Sequence, residues 1–150
     1  MPQSFTYILT HAVWATHLRT PWLSPEVRKR VFAYISGICR KIGAPLRIAG
    51  GVEDHVHTLF LLHPTLAPAD VLRDMKANSS RFVHETWPDL RDFKWQDGYS
   101  AFGVSRSGEV DVYRYIEDQE RHHARRSVED ELRELYEKHG LPFDPVKVFE

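Results

Sequence analysis

The sequence predicts an α+β domain: a ferredoxin-like β-α-β-β-α-β antiparallel sheet with additional C-terminal helices. Three observations lead there. Two apolar runs, 46–52 and 55–62, are joined by only Glu53-Asp54, which makes an antiparallel hairpin. A segment with helical periodicity and marked ends precedes that hairpin, and another follows it. A run rich in β-branched and aromatic residues opens the chain, and a shorter one follows the second helix. A chain of 150 residues with 42% apolar content can bury a real core as one domain. We expect residues 1–126 to form its body and residues 127–150 an acidic helix and tail of the same domain.

Residues 5–15 read as the first strand, with His11, Val13 and Ala15 on one face and Ala12 and Trp14 on the other. After a loop, Ser24-Pro25-Glu26 starts the first helix: a capping hydroxyl, a proline in the first turn, and an acid favoured by the helix dipole. Val27, Val31, Tyr34, Ile35, Ile38 and Ile42 form its apolar face, and Gly43 with Pro45 ends it. On the second strand of the hairpin, His55, His57, Leu59 and Leu61 share one face, while Val56, Thr58, Phe60 and Leu62 take the other. Pro68 opens a second helix with apolar positions Val71, Leu72, Met75, Phe82 and Val83, ended by Trp87-Pro88. A loop leads into a short strand, 99–104, and Ser105-Arg106-Ser107-Gly108 turns the chain into a third helix, 109–124. Ser127 caps a fourth helix to residue 139, stopped by Gly140 and Pro142, and the last residues read as an extended tail. In this topology the first and third strands are central, so His55 and His57 fall on a rigid platform.

Composition narrows the function classes. The single cysteine, Cys39, allows no disulfide within one chain, which favours a reducing compartment. The first residues lack the layout of a signal peptide, and no apolar run approaches the ~20 residues that span a bilayer. These features suggest a cytoplasmic protein with no membrane partner. Net charge is −1, but it is unevenly spread. Residues 1–126 carry 17 Lys/Arg against 14 Asp/Glu, a net +3, and residues 127–150 carry 3 against 7, a net −4. The basic clusters Arg28-Lys29-Arg30, Arg40-Lys41 with Arg47, and Arg121 to Arg126 read as solvated helix faces or as phosphate contacts. Nothing resembles a phosphate-binding glycine loop, a zinc ribbon or a serine-hydrolase elbow.

Two short motifs carry the chemistry. Residues two apart on a strand aim together, so His55 and His57 make half of a metal site. Residues four apart on a helix share a face, so Tyr115 and Gln119 aim together. A phenol, two imidazoles and an amide oxygen could form a metal-assisted phosphoryl-transfer centre. That donor set suits Mg²⁺ or Mn²⁺ shared with a phosphate oxygen, and does not exclude Zn²⁺. Tyr115 needs such help, because a free phenol ionises only near pH ~10. The neighbouring His122-His123 could add a ligand or a base, or sit against the helix dipole.

His55-Val56-His57 resembles the histidine–hydrophobic–histidine (HUH) motif. Tyr115-Ile116-x-x-Gln119-x-x-His122-His123 resembles the nucleophile helix of the single-tyrosine HUH transposases. These serve small hairpin-ended bacterial insertion sequences, with the REP-associated tyrosine transposases among their relatives. Gly51-Val52, Lys76, Trp95 to Tyr99 and Ser105 lie in matching context, so the resemblance spans nearly residues 5–125. It implies a homodimer with possible composite active sites, acting on single-stranded DNA that carries hairpins. It also implies that His55, His57 and Gln119 bind the divalent metal, Mg²⁺ or Mn²⁺. Tyr115 would be the catalytic nucleophile, attacking the scissile phosphate to form a 5′-phosphotyrosine. Residues 127–150 fall outside it. Three other readings compete: a domesticated relative acting on chromosomal repeat hairpins, a non-catalytic single-stranded nucleic-acid-binding module, and a zinc hydrolase.

Overall fold

The structure, a computed structural model, describes residues 2–150. Its four-stranded antiparallel sheet has the order β2-β3-β1-β4, built from β1 (Leu9–Ala15), β2 (Leu46–Val52), β3 (His55–Leu61) and β4 (Ser100–Val104). The two strands of the expected hairpin pair as adjacent strands, and β1 and β3 are central. β1 begins at Leu9, later than the sequence suggests. Leu9 is opposite both Leu61 and Val104, where both neighbouring strands end, and beyond it the Ile8 carbonyl still accepts from the Leu62 amide at 2.8 Å.

α1 (Pro25–Ile42) and α2 (Pro68–Thr86) cover one face. The Ser24 hydroxyl accepts from the Val27 amide at 3.4 Å, and Gly43 closes α1 in the left-handed conformation (φ 86°) that glycine adopts without penalty. Val27, Val31, Ile35 and Cys39 are the buried positions of α1. Tyr34 instead turns outward and stacks on Phe82 of α2, ring centroids 4.2 Å apart. Against these helices the sheet presents Ala12, Trp14, Val56 and Phe60, joined by Leu72, Met75, Phe93 and Trp95. Each such large side chain contributes about 1.5–3 kcal/mol on burial. The Trp95 indole donates to Ser79 Oγ at 2.9 Å, so its polar atom is matched inside the core.

The opposite face is covered by α3 (Glu109–Glu117), α4 (Gln119–His123), α5 (Val128–Lys138) and α6 (Pro145–Val148). Two expectations need correction. The third helix is not continuous: Asp118 (φ −93°, ψ 20°) leaves helical geometry and separates α3 from α4. The last segment is not an extended tail. Pro145, at the first turn behind the Asp144 cap, starts α6, and Phe143, Val148 and Phe149 pack on α5 and Val13. Gln96 Nε2 donates to the carbonyls of Val148 and Glu150, which ties that end to the body. α3 sits close to the sheet because β2 offers no side chain at Gly50, where a Cβ would fall 2.3 Å from the Ile116 carbonyl oxygen. Among the described residues, no helix is long and apolar enough to cross a membrane.

Candidate active site

His55 and His57 lie on β3, facing α4 and α5, and both are 0% exposed. Their partner is a residue that the sequence motifs do not include. Val128 and Leu132 of α5 pack on Val13 of β1, which is paired with His57. That docking carries Glu131, on the same helical stripe, over the two histidines. Glu131 Oε1 accepts from His57 Nε2 at 2.6 Å and lies 3.6 Å from His55 Nε2. Its Oε2 accepts from Gln119 Nε2 at 3.3 Å and lies 3.2 Å from His123 Nε2.

The outer nitrogens of the histidine pair are held too. His55 Nδ1 is 2.8 Å from Asp54 Oδ1, and His57 Nδ1 is 2.8 Å from His11 Nε2. Such outer contacts fix which ring nitrogen points inward, here Nε2 in both rings. His55 Nε2, Gln119 Oε1 and His123 Nε2 are buried with no hydrogen-bond partner. A cluster of buried polar atoms without hydrogen bonds around a carboxylate suits a cation. The ligand atoms of His55, His57 and Glu131 lie within 4.8 Å of one another, close to the ~4.2 Å spread that bonds of about 2.1 Å allow. This buried group could hold a metal ion.

Burial and charge pull these groups apart. Burial opposes charge on His55, but the carboxylates of Asp54 and Glu131 facing its two ring nitrogens outweigh it and raise its pKa to about 9. For His57 burial wins and the pKa is lowered, because its outer partner is another imidazole and not a carboxylate. His11, buried beside His57, is pushed down to about 3 by desolvation first and His57 second. Glu131 is held far below the usual carboxylate range: burial opposes its charge, but the imidazoles of His123, His55 and His57 that face it outweigh that. The Tyr115 phenol is pushed up by burial and then by the Glu131 charge. These directions favour an ion pair of His55 and Glu131 beside neutral His57 and His11 imidazoles and a neutral Tyr115 phenol.

Tyr115 is half-buried on α3, its ring edge-on to His57 at 5.7 Å between centroids and tilted against His122 at 4.8 Å. It opens onto a cleft of about 450 Å³ between β4, α3 and α5, lined also by His11, Phe102, Arg126, Lys138 and His139. All four expected site residues, His55, His57, Tyr115 and Gln119, thus meet within one chain. The break at Asp118 changes their company: Gln119 shares its side with His123 against Glu131, while His122 lies tilted against Tyr115. Glu131 and His11 were missed. A signal for Glu131 was present, since it interrupts the apolar stripe Val128, Leu132, Leu135 at the i+3 position.

Comparison with known proteins places the fold and the family. A candidate transposase from Deinococcus radiodurans R1 superposes with a TM-score of 0.65 at 25% identity, over 79% of this chain and 96% of that one. A REP-associated tyrosine transposase bound to a REP hairpin superposes with a TM-score of 0.52 at 14% identity, over 77% of this chain and 68% of that one, which shows a shared fold. A search of curated proteins finds no significant match. Residues 4–119 match the family model described as "Transposase IS200 like", and that match includes both histidines, the tyrosine and Gln119. The chain belongs to the IS200-like transposase family.

Proposed function

We propose that this chain is a metal-dependent enzyme that cleaves and rejoins single-stranded DNA at hairpin-marked ends through a 5′-phosphotyrosine on Tyr115. The observation that carries it is the placement of a half-buried tyrosine, open to a cleft, beside a buried cluster of polar atoms without hydrogen-bond partners. His55, His57 and Gln119 would hold the metal, with Glu131 as a further ligand. A divalent ion such as Mg²⁺ or Mn²⁺ would supply positive charge for the scissile phosphate and offset the Glu131 charge, which adds to burial in keeping the phenol neutral. Tyr115 Oη forms the new bond to phosphorus and the bond from phosphorus to the 3′ oxygen breaks. The phenolic proton is lost and the departing 3′ oxygen gains one. A 3′-hydroxyl from another strand reverses the step, so the phosphoester bond energy is conserved and no nucleotide triphosphate is consumed. Arg126 and Lys138 line the cleft and would meet the DNA backbone.

Hairpin DNA as substrate rests on family membership and on the hairpin-bound structure of similar fold. A cytoplasmic site of action follows from that substrate. A homodimer is part of the proposal: light scattering would read well above the 17.5 kDa of one chain. A non-catalytic sheet-face binder is disfavoured, because the face with His11, His55 and His57 is buried under helices and leaves no open stacking platform among the described residues. The test is a covalent-adduct assay on end-labelled single strands from the flanks of the protein's own gene, with Mg²⁺ or Mn²⁺. A labelled species that survives denaturation, needs metal and disappears in Tyr115→Phe is expected. An undiminished adduct in Tyr115→Phe would remove Tyr115 as nucleophile.

A further inference from the structure

The tyrosine helix α3 separates two cavities. Asp111, Val112 and Tyr115 line the tyrosine cleft. Val110, Tyr113, Arg114 and Glu117, which recur at helical spacing on the opposite side, line a second cavity of about 380 Å³. Tyr7, Arg47, Arg106 and Glu109 complete its walls. The turn before α3 joins the two, because Ser105 lines the cleft and Arg106, next in the chain, lines the second cavity. The Proposed function gives this second cavity no role.

The two cavities differ in charge. Arg126 and Lys138 of the cleft face Asp111, Glu131 and Glu134, so its fixed cations are outnumbered. In the second cavity Arg47, Arg106 and Arg114 outnumber Glu109 and Glu117, and a polyanion is held better there. One wall is already arranged. Glu109 accepts from Tyr7 Oη and lies 3.4 Å from Arg47 Nε. Arg106 Nη1 donates to Tyr7 Oη at 2.9 Å, and its guanidinium lies 5.0 Å from the centre of the Tyr7 ring. Tyr113 and Arg114 are different: both are exposed, and among the described residues neither side chain has a hydrogen bond, an ion pair or an aromatic contact. They put an unused aromatic face beside an unused guanidinium.

We propose that this second cavity is a subsite for an unpaired nucleotide of the same DNA strand that occupies the tyrosine cleft. Its base stacks on Tyr113, with Tyr7 and Arg106 as further walls, and its phosphate is met by Arg114. A strand leaving the cleft across the turn at residues 105–108 enters it. Every base has a face that can stack, so the subsite adds affinity without reading sequence. A protein partner fits less well, because five of the lining side chains are charged and the centres of protein interfaces are depleted of charge. This inference rests on single-stranded DNA as the substrate in the Proposed function.

The test measures binding of fluorescein-labelled single strands from the flanks of the protein's own gene by anisotropy. The full chain carries Tyr115→Phe throughout, so that no covalent capture contributes. Adding Tyr113→Ala should weaken binding roughly 5–150-fold, the range for loss of one base–aromatic stack. Tyr113→Phe, which keeps the ring, should bind as the parent does. Arg114→Ala should reduce the slope of log affinity against log salt by about 0.7, the value for one single-strand phosphate. A 2-aminopurine moved along the strand should be quenched at one position outside the cleft, and Tyr113→Ala should restore its emission. Both exposed positions can be changed without disturbing the core. Equal affinity in Tyr113→Ala and the parent would overturn the subsite while leaving the tyrosine cleft standing. So would a Tyr113→Ala chain that scatters light as a smaller assembly than the parent and keeps its DNA affinity, which would mark the surface as a contact between copies. No binding of any single strand by the parent would overturn the substrate reading itself.

Discussion

The two faces of the sheet are held by different physics. Under α1 and α2 lies one large apolar cluster with Trp14, Ile35, Phe60, Leu72 and Met75 all at or below 1% exposure. Under α3 to α5 the apolar contacts fall into two small groups, around Leu59 with Ile116 and around Val13 with Leu132. Between those groups His11, His55, His57, Gln119 and Glu131 are buried. Buried charge is weak evidence for stability, because desolvation offsets much of the attraction. The packed face therefore carries the fold, and the polar face is a site that the fold can hold without depending on it.

The strongest way to break that contrast is to open the packed face. Phe60→Ala should cost about 3–5 kcal/mol, a large part of the roughly 5–15 kcal/mol that a domain has, and should unfold both faces together in a denaturant melt. On the polar face, Glu131→Gln should cost about 3 kcal/mol in metal-free protein by stranding the His55 charge. The pH profile sharpens this. His55 has its folded pKa raised from 6.5 to about 9, so its contribution is fully present below pH 6.5 and lost as pH rises through about 9. Glu131 is depressed, so its contribution is present above the ordinary carboxylate value and lost in acid. Metal-free Tm should thus fall on the alkaline side, and Glu131→Gln should flatten that fall. An unchanged alkaline slope in the variant would contradict the ion pair. Gly50→Ala should cost about 1–3 kcal/mol through its collision with Ile116, and should lower adduct yield more than the stability loss explains, because it shifts the tyrosine helix. Smallest is Ser127→Ala, about 1 kcal/mol from the lost cap on α5, measurable as a slight drop in Tm.

The packed face was the more legible in sequence. Its signals are local: Ser24-Pro25 and Gly43 bounding α1, periodic apolar residues along α1 and α2, and Glu53-Asp54 closing the hairpin. On the polar face only the residues within short motifs were legible. His55 with His57, and Tyr115 with Gln119, are each visible because strand and helix periods place them together. Glu131 meets His57 across 74 residues, and an acidic helix reads most simply as a solvated face. His11 was seen as one residue of a strand face, since only sheet register places it diagonal to His57. The break at Asp118 carries no proline or glycine to announce it. The tail was misread because its few apolar residues, Phe143, Val148 and Phe149, have a partner surface only after α5 has docked.

The central claim is that the polar face is a metal site built by one chain. Calorimetric titration of Mn²⁺ into the wild type and His57→Ala, both in metal-free form and at one pH, tests it most directly. The account predicts one binding event per chain in the wild type and its loss, or a severe weakening, in the variant. Binding of equal affinity in the two would contradict it.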